Sequence, residues 1–307
     1  MKKTQPARTR RASSPAGSDR SLSGLRFLWL EITPACNLRC HHCYTESSPL
    51  LKAPGIVDWE KVLEEAYQAG CRHVQFIGGE PTYKTPLLQY ITAARRLGYT
   101  FVEVYTNLTL ISERLADQLG KHRAHVATSF YSSRKDVHES VTGVKGSFDR
   151  TVRGIRCVLR KKIPLRVGVI SMENDEVATK DCIDFLVGLG VNRDRIGIDH
   201  TRPVGRGGSL VKLRSLEETV CGHCWDGKLA VSWDGACYPC IFSRQVAVGK
   251  YTGGNLGEIL QSARLKQFRN RIFDYSSALA ARTAGQDLFD RILAIFSQAA
   301  VPVSMSD

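Results

Sequence analysis

Residues 27–43 read FLWLEITPACNLRCHHC. The first seven, Phe27–Thr33, are apolar, aromatic or β-branched apart from Glu31, which is the composition of a strand, and Pro34 ends it. Cys36, Cys40 and Cys43 follow at once. A loop this short brings three thiolates together at little closure cost, so the three can wrap one small metal centre. Three ligands are one fewer than a structural zinc or a saturated 4Fe–4S cluster requires. Such a centre keeps one coordination position open for something else.

Outward from that stretch the chain alternates between two periodicities. Strand-like runs recur at His73–Ile77, Phe101–Thr106, His125–Tyr131, Leu165–Ile170 and Arg195–His200. Between them apolar residues recur at helical spacing. Trp59, Val62, Leu63 and Ala66 form one face behind an Asp58 cap, with Gly70 ending it. Leu87, Leu88, Ile91 and Ala94 form another, with Thr85 as N-cap, Pro86 at the first helical position and Gly98 closing it. Ser112–Gly120, Ser147–Leu159 and Glu176–Gly190 repeat the pattern. Six strands alternating with helices imply parallel βαβ units in an α/β fold. Periodicity alone leaves two architectures open, a doubly wound sheet and a partly closed barrel.

Beyond Pro203 the character changes. Gly205, Gly207 and Gly208 punctuate a linker, and Lys228–Trp233 and Ala236–Tyr238 flank Asp234-Gly235 as a β-hairpin. Leu256–Phe273 and Asp287–Phe296 have helical spacing. The expected organisation is a disordered basic tail over 1–24, a main domain over 25–205, a hairpin-plus-helix domain over 206–275 and a helical tail over 276–307. The tail holds six basic residues against one acid, among Ser, Pro, Gly and Ala, too little apolar surface to offset its ordering entropy.

Seven of the ten cysteines fall in two groups, the second being Cys221, Cys224, Cys237 and Cys240. Four thiolates suit a tetrahedral zinc or a fully ligated iron–sulfur cluster, and the spacing by itself leans to a zinc ribbon. His223 is placed to replace one thiolate, or to face solvent. Cys71, Cys157 and Cys182 stand alone and read as packing residues. Clustered cysteines without an export signal point to metal and to a reducing, cytoplasmic compartment. No run approaches the ~20 apolar residues that cross a bilayer, so no membrane partner is expected.

Gly78-Gly79-Glu80-Pro81 closes the second strand, one strand beyond the first cysteine loop. Together the two motifs resemble the radical S-adenosylmethionine (SAM) superfamily. The resemblance implies a partial (βα)6 barrel, whose strand C-termini share one face where active sites form. It implies a 4Fe–4S cluster on Cys36, Cys40 and Cys43 whose open iron is chelated by SAM, and cleavage of SAM to a 5′-deoxyadenosyl radical that abstracts hydrogen from substrate. Gly78, Gly79, Glu80 and Pro81 then meet the methionyl amino group, the glycines by close backbone approach and Glu80 as a negative partner. His42 stands where the family has an aromatic residue near the adenine, and is flat enough to stack. Asn107 and Ser129, at the ends of the third and fourth strands, and Arg150 are further SAM contacts by the same resemblance. Their alternative roles are a strand-end cap, a core hydroxyl and a helix-surface charge.

Residues 221–260, with Tyr238-Pro239-Cys240 and Gly254-Asn255-Leu256, resemble the start of the SPASM/Twitch extensions of that superfamily. These imply an auxiliary 4Fe–4S cluster in place of zinc. No cysteine lies in 241–307, so one such cluster is the most this chain holds.

The resemblance implies modification of a ribosomally made peptide. A small-molecule dehydrogenase of sugar or aminocyclitol biosynthesis is the alternative, and a non-catalytic metal-stabilised nucleic-acid-binding protein a third, disfavoured, reading. A low-potential electron donor, flavodoxin or ferredoxin, is implied, and its acidic surface suits a chain of net charge +13. A separate peptide-recognition protein is expected if the tail does not bind a leader. Arg202 and Arg206, behind the sixth strand, are either contacts for an anionic substrate or linker charges.

Overall fold

The structure is a computed structural model that describes residues 24–172, 175–211 and 215–283. The expected tail up to Gly24 and the helix over 287–296 lie outside the described residues, bar Gly24 itself.

Among the described residues nine strands and nine helices follow in chain order: β1 (Phe27–Thr33), α1 (Trp59–Gln68), β2 (His73–Gly78), α2 (Leu87–Leu97), β3 (Phe101–Tyr105), α3 (Glu113–Lys121), β4 (His125–Phe130), α4 (Lys135–Thr142), α5 (Ser147–Arg160), β5 (Leu165–Ser171), α6 (Glu176–Gly188), β6 (Ile196–His200), α7 (Leu216–Thr219), β7 (Lys228–Val231), β8 (Ala236–Tyr238), β9 (Gly249–Lys250), α8 (Leu256–Gln261) and α9 (Ala263–Thr283). The six expected strands are present to within one residue at each end.

All strands belong to one sheet ordered β6-β5-β4-β3-β2-β1-β7-β8-β9. From β1 to β6 the order is sequential and every pairing parallel. A right-handed crossover repeated without reversal puts all the helices on one face. That excludes the doubly wound alternative, which needs a reversal in strand order.

The two faces of the sheet are buried differently. Val74, Phe76, Val102, Val104 and Val126 point towards the helices and join one large apolar core with Val62, Leu63, Ile91 and Ile155. Their neighbours along the strands point the other way, since side chains alternate. Glu31, Gln75 and Glu103 lie on that second face and are also buried. A flat sheet would leave them in water, so this face is enclosed by the sheet curling round it, as in a partial barrel. Burying a charge there requires partners. Arg166 on β5 donates from Nε and Nη2 to the Glu103 carboxylate at 2.8 Å each, and Gln75 donates to the same group.

Of three local expectations, one held and two changed. Asp58 caps α1 as expected, accepting from Lys61 N at 3.1 Å. Thr85 does not cap α2, because its hydroxyl donates to the Pro81 carbonyl and the helix begins at Leu87 behind Pro86. The helical spacing over 256–273 is two helices, α8 and α9, with Ser262 extended between them.

β7 is the larger departure. It forms the expected hairpin with β8, yet it also pairs parallel to β1, from Phe27 opposite Lys228 to Leu30 opposite Val231. The C-terminal region therefore extends the main sheet.

One glycine gives a test of the packing. Gly154 is buried inside α5, and a Cβ there would lie 2.3 Å from the Leu108 carbonyl oxygen and 2.7 Å from Leu108 Cβ. Gly to Ala in a helix ordinarily stabilises by about 1 kcal/mol. Here overpacking reverses the sign, and Gly154→Ala is expected to lose about 1–3 kcal/mol in urea unfolding.

Candidate functional site

The loop after β1 owes its shape to backbone contacts from several elements. Cys36 N donates to Ser48 O at 3.2 Å, while Arg39 N and His41 N donate to Thr142 O and Val141 O, both at 3.0 Å, at the end of α4. Gly143 follows that helix with φ of 66°, and a Cβ there would come within 2.8 Å of Arg39 O. Helix α4, which the sequence pattern did not single out, is thus the wall of the cysteine loop. From the other side Arg206 binds the loop with its backbone N–H on Cys43 O (3.0 Å), Nε on Cys40 O (2.8 Å) and Nη2 on Ser47 O (3.1 Å).

Each thiol of the loop has polar company. Cys36 Sγ accepts from Leu38 N at 3.4 Å and from Asn107 Nδ2 at 3.8 Å. Tyr131 acts on the Cys40 thiol, and Cys43 Sγ lies 3.3 Å from the Thr45 hydroxyl. Burial pushes the Cys40 thiol up to about 12 and Cys36 higher still, Glu80 adding to the effect on Cys36. Without a metal these thiols keep their protons, so metal binding releases them.

Gly78-Gly79-Glu80-Pro81 adjoins this loop. Gly79 N donates to Thr33 O at 2.6 Å and Glu80 N to Ala35 O at 2.8 Å. A Cβ on Gly79 would stand 2.1 Å from Ala35 O, and one on Gly78, whose φ is 134°, 2.5 Å from Thr33 O. Within the chain, the close backbone approach of these glycines is to the β1 loop. The buried Glu80 carboxylate accepts from Thr82 N (3.0 Å), Thr82 Oγ1 (2.6 Å), Thr106 Oγ1 (2.6 Å) and Asn107 N (2.7 Å). Burial raises its proton affinity and these donors oppose the rise. Glu80 is a brace tying the end of β2 to the end of β3.

Asn107 continues that brace. Its Nδ2 donates to Asn37 Oδ1 at 2.9 Å, and its Oδ1 accepts from Thr109 N and Oγ1. Ser129 sits deeper, its hydroxyl 2.9 Å from that of Tyr105. Arg150 is apart from this group, reaching Lys145 O at 3.3 Å at the start of α5. His42 packs edge-on against Tyr131 with ring centroids 4.9 Å apart, and its Nδ1 is buried with no partner among the described residues. Burial, then Arg206 and His41, lowers its pKa to about 4, so the ring is neutral at pH 7. A flat neutral ring with a free nitrogen fits a heteroaromatic base such as adenine.

The second cysteine group divides. Cys224 lies beside both Cys221 and Cys240, and interaction between the thiols holds Cys221 low and Cys224 high. Cys224 and Cys240 share an apolar cluster with Ile77, Ala230, Phe268 and Ile272. Cys237 belongs elsewhere. In β8 it pairs with Val231 while Tyr238 pairs with Ala230, and alternation turns neighbouring side chains to opposite faces. Cys237 joins Val231, Val248, Tyr251 and Leu256 in the core under the helices. Of the four thiols, Cys237 thus packs apart from Cys224 and Cys240. All ten cysteines are free, and Cys71, Cys157 and Cys182 are buried as expected.

A seam that the sequence pattern did not single out joins the two groups. Tyr44, next to Cys43, meets Phe242, two residues past Cys240, with ring centroids 5.4 Å apart. Beside them Arg244 Nη1 donates to both oxygens of Glu31, at 2.7 and 2.6 Å, and its guanidinium lies over Trp233 and Tyr238. Arg202 pairs with Asp199 at 2.5 Å and lies over Phe242.

Known proteins are similar to this chain in sequence and fold. The model of the Radical SAM superfamily matches residues 30–186, and that of the SPASM iron–sulfur cluster-binding domain matches 221–280. A probable GTP 3′,8-cyclase of Saccharolobus solfataricus is 32% identical over 215 residues, 66% of this chain and 67% of its own length. PqqA peptide cyclase of Rhodopseudomonas palustris is 29% identical over 53% of this chain and 44% of its own. The fold matches Streptococcus suis SuiB bound to precursor peptide SuiA with a TM-score of 0.65 at 17% identity, over 80% of this chain and 66% of SuiB. Among the described residues no helix is long and apolar enough to cross a membrane. With its first family match covering half its length, and the cysteine loop and glycine-rich turn meeting at the ends of adjacent strands, the chain belongs to the radical SAM superfamily: it is a radical SAM enzyme with a SPASM domain.

Proposed function

We propose that this enzyme modifies a ribosomally synthesised peptide, with Cys36, Cys40 and Cys43 holding a 4Fe–4S cluster whose open iron takes SAM, and Cys221, Cys224 and Cys240 holding a second iron–sulfur cluster. When bound, the first cluster and SAM supply the radical that takes hydrogen from substrate. The observation that supports this reading is the seam of Tyr44, Phe242, Glu31 and Arg244, by which residues next to Cys43 and just past Cys240 meet within a single sheet. Two relatives with peptides in their descriptions, PqqA peptide cyclase and SuiB, support the substrate class.

The chain's own residues prepare the site. Glu80, Asn107, Asn37 and Thr109 lock the ends of β2 and β3 against the cysteine loop. His42 offers its free Nδ1 beside Tyr131. The match of residues 221–280 to an iron–sulfur cluster-binding domain supports iron–sulfur over zinc at the second set. Arg202 is already neutralised by Asp199, so it makes a weak anchor for an anionic substrate. Arg206 is committed to the cysteine loop. A flavodoxin or ferredoxin remains the proposed electron donor, and steering by charge predicts that its reduction rate falls as salt rises.

A small-molecule substrate is the second reading, favoured by 32% identity to a GTP 3′,8-cyclase. Membership of a catalytic family displaces the third, the non-catalytic nucleic-acid-binding module. The deciding experiment is anaerobic reconstitution, iron counting and assay of 5′-deoxyadenosine from SAM. Candidate peptides from the gene neighbourhood and GTP are then offered in parallel and analysed by mass spectrometry. A peptide mass change with GTP untouched supports the proposal; conversion of GTP alone overturns the peptide assignment.

A further inference from the structure

Gly205, Arg206 and Gly207 follow β6, the far edge of the sheet, yet they grip the loop that follows β1. The glycines make this approach possible. A Cβ on Gly205 would lie 2.5 Å from Tyr44 O and 2.6 Å from Cys43 O, and one on Gly207 2.2 Å from Arg202 O and 3.3 Å from His42 O. Between them Arg206 spends its backbone N–H, Nε and Nη2 on the carbonyls of Cys43, Cys40 and Ser47. Carbonyls orient a guanidinium without cancelling its charge, and among the described residues Arg206 forms no ion pair.

Thiolate-bound clusters become more negative on reduction, so a fixed cation at short range in a low dielectric favours the reduced form. We propose that Arg206 is a positioning residue that both clasps the cysteine loop and raises the reduction potential of the cluster held by Cys36, Cys40 and Cys43. This rests on the ligand assignment proposed above. It places Arg206 in a role different from the linker or substrate-binding charge expected from sequence. It also explains why a residue 163 positions after Cys43 is flanked by glycines on both sides.

The test is a redox titration of the anaerobically reconstituted full chain with dithionite. Electron paramagnetic resonance follows it, and the signal that shifts on adding SAM identifies this cluster. At a fixed potential, Arg206→Gln is expected to lower the reduced-to-oxidised ratio about tenfold, equivalent to ~59 mV for one electron. Arg206→Lys keeps the charge but loses the fork, so its ratio is expected within about threefold of the parent while a chelator strips its iron faster. If Arg206→Gln holds no cluster, Arg206→Lys titrating like the parent supports the proposal. A Gln variant that titrates with the parent overturns it. Loss of the cluster from both variants also overturns it, in favour of a purely mechanical hold. A parent that takes up no SAM-responsive cluster instead defeats the ligand assignment, which keeps the two failures distinct.

Discussion

Anaerobically reconstituted Cys240→Ala protein is expected to carry ~4 iron atoms where the parent carries ~8, while Cys237→Ala is expected to keep the full complement. Both residues belong to the same Cys-x2-Cys spacing, and only the fold separates them. Cys240 meets Cys224 within the cluster that contains Ile77 and Ala230. Cys237 points through the other face of β8, towards Val248 and Tyr251. Removing a ligand should empty the second centre and leave the first able to cleave SAM. Removing a packed thiol should cost only stability. Equal iron loss from the two variants would refute the three-thiol assignment.

The second large effect concerns the seam. Arg244→Leu is expected to destabilise the protein by about 3–5 kcal/mol near neutral pH, because it leaves the fully buried Glu31 carboxylate without its cation. Burial raises the proton affinity of Glu31, and Arg244 is the main influence pulling it back. With Arg244 gone, the folded-state pKa rises further above the unfolded value. The folded state then binds the extra proton between those two values, so stability falls as pH rises through that window. The variant should therefore be nearer the parent at pH 5 than at pH 8 in urea unfolding. Replacing both residues, as Glu31→Leu with Arg244→Leu, removes the stranded charge and should recover much of the loss. A pH-independent deficit would show that the guanidinium's packing on Trp233 and Tyr238 matters more than its charge.

The cysteine loop and the strand–helix alternation were legible because both are local. Three thiols within Cys36–Cys43 need no tertiary knowledge, and neither does the capping of α1 by Asp58. Pairing was less accessible. The alternating pattern does not say that β7 runs parallel to β1, since a strand's partner is set by the whole sheet. For Cys237 a signal did exist. The Asp234-Gly235 turn sets Cys237 opposite Val231, so a hairpin drawn with its register would have turned that thiol away from Cys240. The glycines at 78 and 79 announced a close approach without naming the partner, which is the β1 loop. Arg206 gave no local sign, because its three acceptors lie some 160 residues earlier in the chain.

The parallel pairing of β7 with β1 has a consequence for engineering. A domain on a tether can be shortened, swung or exchanged, but here the second thiol set is registered to the first by strand contacts from Phe27–Lys228 to Leu30–Val231. Lengthening the connection after Gly208 should leave the spacing between the sets unaltered. Excising the segment from Cys221 onwards would instead strip β1 of a neighbour, turning the middle of the sheet into a raw edge prone to aggregate. The C-terminal region is a structural part of the barrel, and a minimal active fragment has to include it.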